Sequence, residues 1–139
     1  MDKLRKLIAT SALCAVAAAG SLMLAGPAQA AVAPYNGVCG TGYNVVNQAD
    51  IGNKGTVYLT YNNSTGRNCA VTVRATPGAA VEMVVSVVRS GDNPANAATD
   101  AGYFTTYAGP VYLSAAGRCV DWYGYIDGTN EHRNNTNCG

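Results

Sequence analysis

The stretch that most constrains the fold is residues 55–75, GTVYLTYNNSTGRNCAVTVRA. Over residues 56–62, Val, Leu and Tyr at the odd positions alternate with Tyr, Thr and Asn at the even ones. Over residues 69–74, Cys, Val and Val alternate with Ala, Thr and Arg, and an Asn-Asn-Ser-Thr-Gly sequence lies between the two segments. A period of two on both sides of a turn sequence predicts a β-hairpin. Cys69, at the start of the second predicted strand, allows this hairpin to be bonded covalently to a distant segment.

The first thirty residues have the pattern of a secretory signal peptide. Residues 1–6 include three basic side chains, residues 7–25 are apolar, and Ala28-Gln29-Ala30 is a small-residue cleavage pattern. A membrane anchor is the alternative for an apolar run of this length, but the terminal position, the alanine content and the cleavage pattern favour export. We therefore expect a signal peptide at residues 1–30, no membrane association after its cleavage, and a single secreted β-domain at residues 31–139.

Four cysteines follow residue 30, because Cys14 falls within the signal. An even number in a short exported chain predicts two disulfides, although four cysteines allow three pairings. We expect the bonds Cys39–Cys69 and Cys119–Cys138, since both close loops of moderate length and the second holds a polar tail. No Cys-x-x-Cys pair is present, so we expect no metal site and no cofactor.

Turn residues divide the rest of the chain into short segments of β type. Beyond the hairpin, strands are expected over residues 43–47, 79–88, 103–107, 110–114 and 118–126. About seven short strands and no convincing helix predict an all-β fold, a single antiparallel β-sandwich or small barrel stabilised by disulfides. Residues 89–102 are rich in Gly, Asn, Pro and Asp and are expected to form a surface loop, and residues 127–139 a polar tail.

The chain contains few residues suited to catalysis. His132 is its one histidine and is expected in the solvated tail, no Gly-x-Ser-x-Gly sequence is present, and paired cysteines are not nucleophiles. Carboxylates that converge in space would leave a hydrolase open, and the candidates are Glu82, Asp92, Asp100, Asp121 and Asp127. Glu82 itself is expected at a sheet edge or at the exposed end of its strand. We expect no catalytic residues and no enzymatic activity.

Charge and aromatic content point to binding instead. Charged residues are sparse and mixed, 9 basic against 8 acidic, so no basic patch indicates nucleic acid. The chain has 9 tyrosines, 1 Phe and 1 Trp, and tyrosine combines an apolar ring with a polar tip, which suits a binding face. The candidate binding residues cluster in the last third: Tyr103, Tyr107, Tyr112, Trp122, Tyr123 and Tyr125. The alternative is ordinary strand packing, with Trp122 in the core.

Several segments carry a family resemblance: GYNVVN after Cys39-Gly40, the hairpin sequence, YAGPVYL and GRCVDWYGYI. Together they resemble spore-associated protein A, a family of small exported proteins of filamentous actinobacteria, over about residues 38–126. The resemblance implies an extracellular or spore-surface location and no assigned enzymatic activity, and it supplies no catalytic or ligand residues. The residues after Asp127 match least well.

We therefore expect a non-enzymatic, secreted small β-protein associated with the cell or spore surface. One alternative is a cell-wall carbohydrate-binding module that uses exposed Tyr and Trp. A second is a secreted protease inhibitor with an exposed loop at residues 89–102. The expected partner is a cell-wall or spore-surface polymer, or another extracellular protein.

Overall fold

The computed structural model describes residues 31–139, and the signal peptide expected at residues 1–30 lies outside the described residues. Eight strands are present within residues 31–139: β1 (Asn44–Ile51), β2 (Gly55–Asn62), β3 (Arg67–Arg74), β4 (Val81–Arg89), β5 (Ala98–Phe104), β6 (Tyr107–Ser114), β7 (Val120–Ile126) and β8 (Thr129–Thr136). Sheet I has the order β1-β2-β3-β6 and sheet II the order β5-β4-β7-β8, and every pairing is antiparallel. The sheets pack face to face around one core, which confirms the expected sandwich.

Helical structure is confined to one short turn in this part of the chain. Pro94–Asn96 forms a single 3-10 turn between β4 and β5. No helix in residues 31–139 is long and apolar enough to cross a membrane.

The β2–β3 hairpin lies where the alternating pattern predicts it. The two strands pair over their whole length without a register shift. Asn62 stabilises the turn, because its Oδ1 accepts hydrogen bonds from the backbone N–H groups of Ser64 (2.9 Å) and Thr65 (3.2 Å). An asparagine side chain in this role supplies the acceptor that a backbone turn needs.

The main core lies between the two sheets. Aliphatic side chains from both sheets fill it together with Trp122, which is 2% exposed. Gly124 of β7 faces this core, where an added Cβ would lie 2.6 Å from the Val57 Cβ and 2.9 Å from the Ile51 Cδ1. These distances are shorter than van der Waals contact, so the sheets approach this closely only because residue 124 has no side chain.

A leader, residues 31–42, crosses the outer face of sheet I without forming a strand. It buries a second apolar cluster in which Ala33 lies on Tyr58, Val71 and Val73. The Ala33 N–H donates to Thr56 Oγ1 at 3.0 Å, and the Tyr58 hydroxyl donates to the Ala33 carbonyl. The Cys39–Cys69 disulfide joins the leader to β3, as expected. Much of sheet I is therefore buried on both faces.

Two predicted segments differ from the structure. Residues 127–139 contain β8, and residues 89–102 include the first part of β5, so there are eight strands instead of about seven and the connecting loop is only residues 90–97. β5 and β8 are the edge strands of sheet II. Their side chains are mostly small or polar, so the alternation that identifies a half-buried strand is weak in both.

The boundaries around β6 also differ from the prediction. Residues 103–107 were expected to form one strand, but β5 ends at Phe104 and β6 begins at Tyr107. β6 then continues through Ala108 and Gly109, which were expected to interrupt it. Gly109 has φ +100°, a backbone conformation that glycine adopts without strain, so the strand bends here and does not end.

β8 is held to β7 at both of its ends. Asp127 and Gly128 form the connection with φ +42° and +86°, and positive φ at both central residues is what a type I′ hairpin turn requires. At the other end, Trp122 Nε1 donates to Thr136 Oγ1 at 2.8 Å. The expected Cys119–Cys138 disulfide then fixes the last residues.

Candidate functional site

The outer faces of the two sheets differ in what covers them. The leader covers sheet I, whereas the outward side chains of sheet II are partly or fully exposed. In β4 and β7, buried residues alternate with residues of intermediate exposure or greater. Tyr103 on β5 is 76% exposed, and no other aromatic side chain in residues 31–139 is classed as exposed. The outer face of sheet II is therefore the open β-surface of the molecule.

Three tyrosines lie on this outer face. Tyr103 on β5 is directly opposite Glu82 on β4, and Glu82 is exposed. Tyr123 and Tyr125 on β7 are opposite β4 residues that point the same way as Glu82, because directly opposed residues share a face and same-face residues recur every second position. We call this surface, defined by Tyr103, Tyr123 and Tyr125, the tyrosine face.

The three rings are spread over a surface and are not gathered in a pocket. Same-face neighbours on one strand are about 7 Å apart, which separates Tyr123 from Tyr125, and Tyr103 is two strands and one such step away from Tyr125, about 12 Å. The aromatic pairs and the cation–π contact found in residues 31–139 involve none of the three. Tyr103 is exposed and the other two are partly exposed, so a ligand that extends over several contact points can reach all three.

Ionisable side chains lie among the tyrosines, and two of them, Glu82 and His132, are exposed. The Tyr125 hydroxyl donates to Glu82 Oε2 at 3.3 Å. Burial, and then the nearby Tyr125 and Glu82 groups, raise the pKa of the Tyr123 phenol above its ordinary value, which keeps it a hydrogen-bond donor. His132 on β8 is directly opposite Tyr123 and is exposed. The tyrosine face thus combines apolar ring surface with hydroxyl, carboxylate and imidazole groups.

The other three candidate residues lie elsewhere. Trp122 points into the core. Tyr107 packs against the second apolar cluster beneath the leader. Tyr112 is also on the leader side, where its hydroxyl donates to the Cys39 carbonyl at 3.0 Å and its ring lies 5.4 Å from the Arg67 guanidinium carbon. The structure therefore brings together Tyr103, Tyr123 and Tyr125 and separates them from the rest.

Sequence reasoning did not place His132 on this face. It assigned the histidine to an irregular tail, because residues 127–139 are polar throughout. The useful signal was the dipeptide Asp127-Gly128, which is typical of a two-residue hairpin turn. A turn centred on that dipeptide puts His132 opposite Tyr123, which is the register observed.

Three of the five carboxylates considered for hydrolysis are engaged in separate structural contacts. Asp92 forms salt bridges with two arginines at 3.3 and 3.6 Å. Asp100 accepts a hydrogen bond from the backbone N–H of Gly109 at 2.8 Å. Asp121 accepts hydrogen bonds from Ser90 Oγ and a backbone N–H of the β8 segment. Within residues 31–139, no group of three His, Cys, Asp or Glu side chains is arranged to hold a metal ion.

Two clefts lie at opposite ends of the sandwich and include none of the three face tyrosines. The larger, about 350 Å³, lies between the β2–β3 turn and the C-terminal residues around Cys138. The smaller, about 210 Å³, is lined by Lys54 and Arg74. Both cations already donate to backbone carbonyls, Lys54 to Asp127 and Arg74 to Ala79. The Lys54 ammonium and the Arg74 guanidinium thus hold neighbouring turns together at this end of the sandwich.

The fold and the face define a class of protein, a small disulfide-linked β-sandwich with one covered sheet and one open, tyrosine-bearing sheet. The chain is 50% identical over 133 residues to spore-associated protein A of Streptomyces coelicolor, and the match covers 91% of this chain and 85% of that protein. The chain therefore belongs to the spore-associated protein A family, as the resemblance indicated. No protein-family model matches the chain, and no solved structure matches it. The two disulfides and this relative are consistent with an extracellular location.

Proposed function

We propose that this protein is a non-enzymatic, extracellular component of the cell or spore surface, and that its tyrosine face binds a surface polysaccharide. One observation carries the proposal: the sandwich covers much of one sheet with its own leader and leaves Tyr103 exposed, and Tyr123 and Tyr125 partly exposed, on the other. An uncovered aromatic residue such as Tyr103 gains nothing for folding from its exposed area, since the hydrophobic effect rewards only area removed from water.

Tyrosine suits a sugar ligand for two physical reasons. Its ring is a flat apolar surface on which the C–H face of a sugar ring can lie, and its hydroxyl exchanges hydrogen bonds with sugar hydroxyls. The face is also shallow, whereas small-molecule sites are concave and enclose most of their ligand. A polymer that touches several separated rings at once fits such a surface better than a free monosaccharide does.

Two other functions receive less support. A protease-inhibiting loop was expected over residues 89–102, but the connection is only residues 90–97 and is folded on itself by the 3-10 turn and the Asp92 salt bridges. A carboxylate hydrolase requires two free carboxylates flanking a substrate, and Asp92, Asp100 and Asp121 are each engaged in contacts that hold loops and strands. Of the remaining two candidates, Glu82 accepts a hydrogen bond from Tyr125, and Asp127 lies in the β7–β8 turn. The tyrosine face is the better supported site.

Affinity electrophoresis through gels containing purified wall polysaccharides tests the proposal. We expect retardation of the wild-type protein by at least one polymer, and its loss in Tyr103→Ala and in Tyr125→Ala. Val45→Ala is the matched control, because Val45 is an exposed apolar side chain, 40% exposed, on the edge strand of sheet I. If no wall polymer retards the wild type, or if Tyr103→Ala and Val45→Ala migrate alike, the proposed function is wrong.

A further inference from the structure

The tyrosine face carries two carboxylates. Glu82 and Asp121 occupy outward positions on it: Glu82 is directly opposite Tyr103, and Asp121 is directly opposite Val88. The Asp121 carboxylate accepts hydrogen bonds from Ser90 and from β8. Glu82 accepts only the long hydrogen bond from Tyr125, and the salt bridges in residues 31–139 leave it without a cationic partner.

No basic residue of the described chain holds an outward position on this face. Lys54 is in the β1–β2 turn, and Arg67 belongs to sheet I. Arg74 of β3 reaches the end of β5, where its guanidinium donates to the backbone carbonyls of Phe104 and Thr105. In sheet II, Arg89 and Arg133 are opposite Val120 and Trp122, which point into the core. Arg118 precedes β7 and pairs with Asp92. An anionic polymer would therefore meet a carboxylate on this face and no arginine or lysine to offset the repulsion.

We infer that the tyrosine face recognises the protonated amino groups of a polysaccharide that contains free amino sugars. The inference rests on the proposed function and narrows its ligand class. Glu82 is flanked by Tyr103 across the strand pair and by the Tyr125 hydroxyl. A carboxylate between two phenol rings offers an ammonium group both an ion pair and the negative faces of aromatic rings.

The occupant is a polysaccharide and not a lysine-rich peptide because of how the other groups are arranged. A peptide ammonium requires only the carboxylate and one ring. Tyr123 lies on the far side of Tyr125 from Glu82 and brings a phenol, and His132 brings an imidazole beside it, so hydrogen-bonding groups continue along β7 next to the Glu82 carboxylate. The second carboxylate, Asp121, lies beyond Tyr123 and already accepts hydrogen bonds from Ser90 and from β8. Sugar rings bearing hydroxyl groups match that continuation, whereas the next residue of an oligolysine would bring a second positive charge among groups suited to hydroxyls.

Two ligands that differ only in charge test the inference. Chitosan oligosaccharide carries free amino groups, and chitin oligosaccharide of the same length carries neutral acetamides on the same sugar backbone. Titration calorimetry in mildly acidic, low-salt buffer measures both affinities. We expect the chitosan oligomer to bind about fivefold more tightly, the size of one exposed ion pair combined with a cation–π contact. Added salt should reduce this preference, because exposed charges are screened.

Variants assign the preference to one side chain. Glu82→Gln keeps the shape and removes the charge, so it should abolish the preference for chitosan and leave chitin binding in place. Tyr103→Ala should weaken both ligands. Glu131→Gln is the matched control: it makes the same chemical change at a carboxylate paired with Arg133 and opposite Gly124, off the face, and should leave the preference unchanged. Thermal unfolding of each variant checks that the fold is retained.

The outcomes separate the two proposals. If chitin binds as tightly as chitosan, or Glu82→Gln keeps the preference, the amino-sugar inference is wrong while polysaccharide binding stands. If neither these oligomers nor any wall polymer binds, both proposals fail. If oligolysine of equal charge binds through Glu82 and chitosan does not, the ligand is a cationic peptide and the inference is again wrong.

Discussion

Gly124 allows the packing of the two sheets to be tested with one methyl group. The residue sits in β7 between Tyr123 and Tyr125, with its missing side chain directed at sheet I. In Gly124→Ala, the new Cβ would lie 2.6 Å from Val57 Cβ, and 2.9 Å from both Ile51 Cδ1 and Thr72 Oγ1. The shortest of these contacts is to a Cβ atom, so no rotamer change of residue 57 relieves it. The backbones of the two sheets must move apart.

The cost has three parts that are estimated separately. Overpacking a filled core costs about 1–3 kcal/mol. Thr72 Oγ1 donates to the Val84 carbonyl of the other sheet at 2.9 Å, and displacing that hydroxyl loses about 1 kcal/mol. Against these, replacing glycine restricts the unfolded chain and returns about 0.4–1 kcal/mol. The net expectation is a loss of about 2–3 kcal/mol, or roughly 10 °C in Tm for a domain of this size.

Calorimetric or circular-dichroism melting measures the loss, and Gly78→Ala is the control. An added Cβ at Gly78 meets only the Arg74 guanidinium at 3.7 Å, an ordinary contact, so this variant should melt at or slightly above the wild-type temperature. Equal melting temperatures for the two variants would refute the argument that Gly124 sets the distance between the sheets. Because Gly124 lies between two tyrosines of the face, we also expect Gly124→Ala to weaken polysaccharide binding.

Three further predictions concern the leader, the tyrosines and the β7–β8 turn. Replacing Cys39 and Cys69 together by Ser removes a cross-link over 30 residues and should cost roughly 3–4 kcal/mol in urea unfolding; an unchanged midpoint would contradict this. Burial raises the pKa values of Tyr35 and Tyr58, so the native state retains these protons to higher pH than the unfolded chain does. The contribution of these two tyrosines to stability should be constant below about pH 10 and fall above it, with Tyr58→Phe reducing the slope in alkaline unfolding curves. Gly128→Ala, at φ +86° with nothing within 4 Å of the new Cβ, should cost about 1 kcal/mol through backbone strain alone, and a melting temperature equal to that of the wild type would count against the type I′ turn.

The sequence predicts the interior of this fold much better than its margins. β2, β3 and β4 are interior strands of their sheets. Their buried faces impose a period of two, or a run of valines, on the sequence. The number of disulfides follows from the cysteine count and the expected export, and the expected pairing, one of three that the sequence allows, is confirmed. The misplaced boundaries belong to β5, β6 and β8, and to β1, which runs to Ile51 although the expected strand ended at residue 47. These are the four edge strands. An edge strand buries less, so its side chains record its position only weakly.

The candidate site was predictable in part for the same reason. The three tyrosines of the face were among the candidates because aromatic residues cluster in the last third of the chain. Their common face was not, because it depends on the register between β5, β4 and β7, and register between distant strands is not encoded locally. Nor could the sequence show that the leader covers sheet I. Tyr107 and Tyr112 therefore lie on a covered face, although nothing in their local sequence distinguishes them from Tyr103.

The covered sheet gives the protein a front and a back. The leader begins at Ala31 on the outer side of sheet I, with the whole sandwich between it and the tyrosine face. A support or label attached ahead of that residue therefore lies behind the binding surface. Molecules anchored through this end would present their tyrosine faces in one direction, and such an array would hold a long polymer at many points, so that contacts too weak to detect singly add up to an avidity about 10²–10⁴ times the single-face affinity.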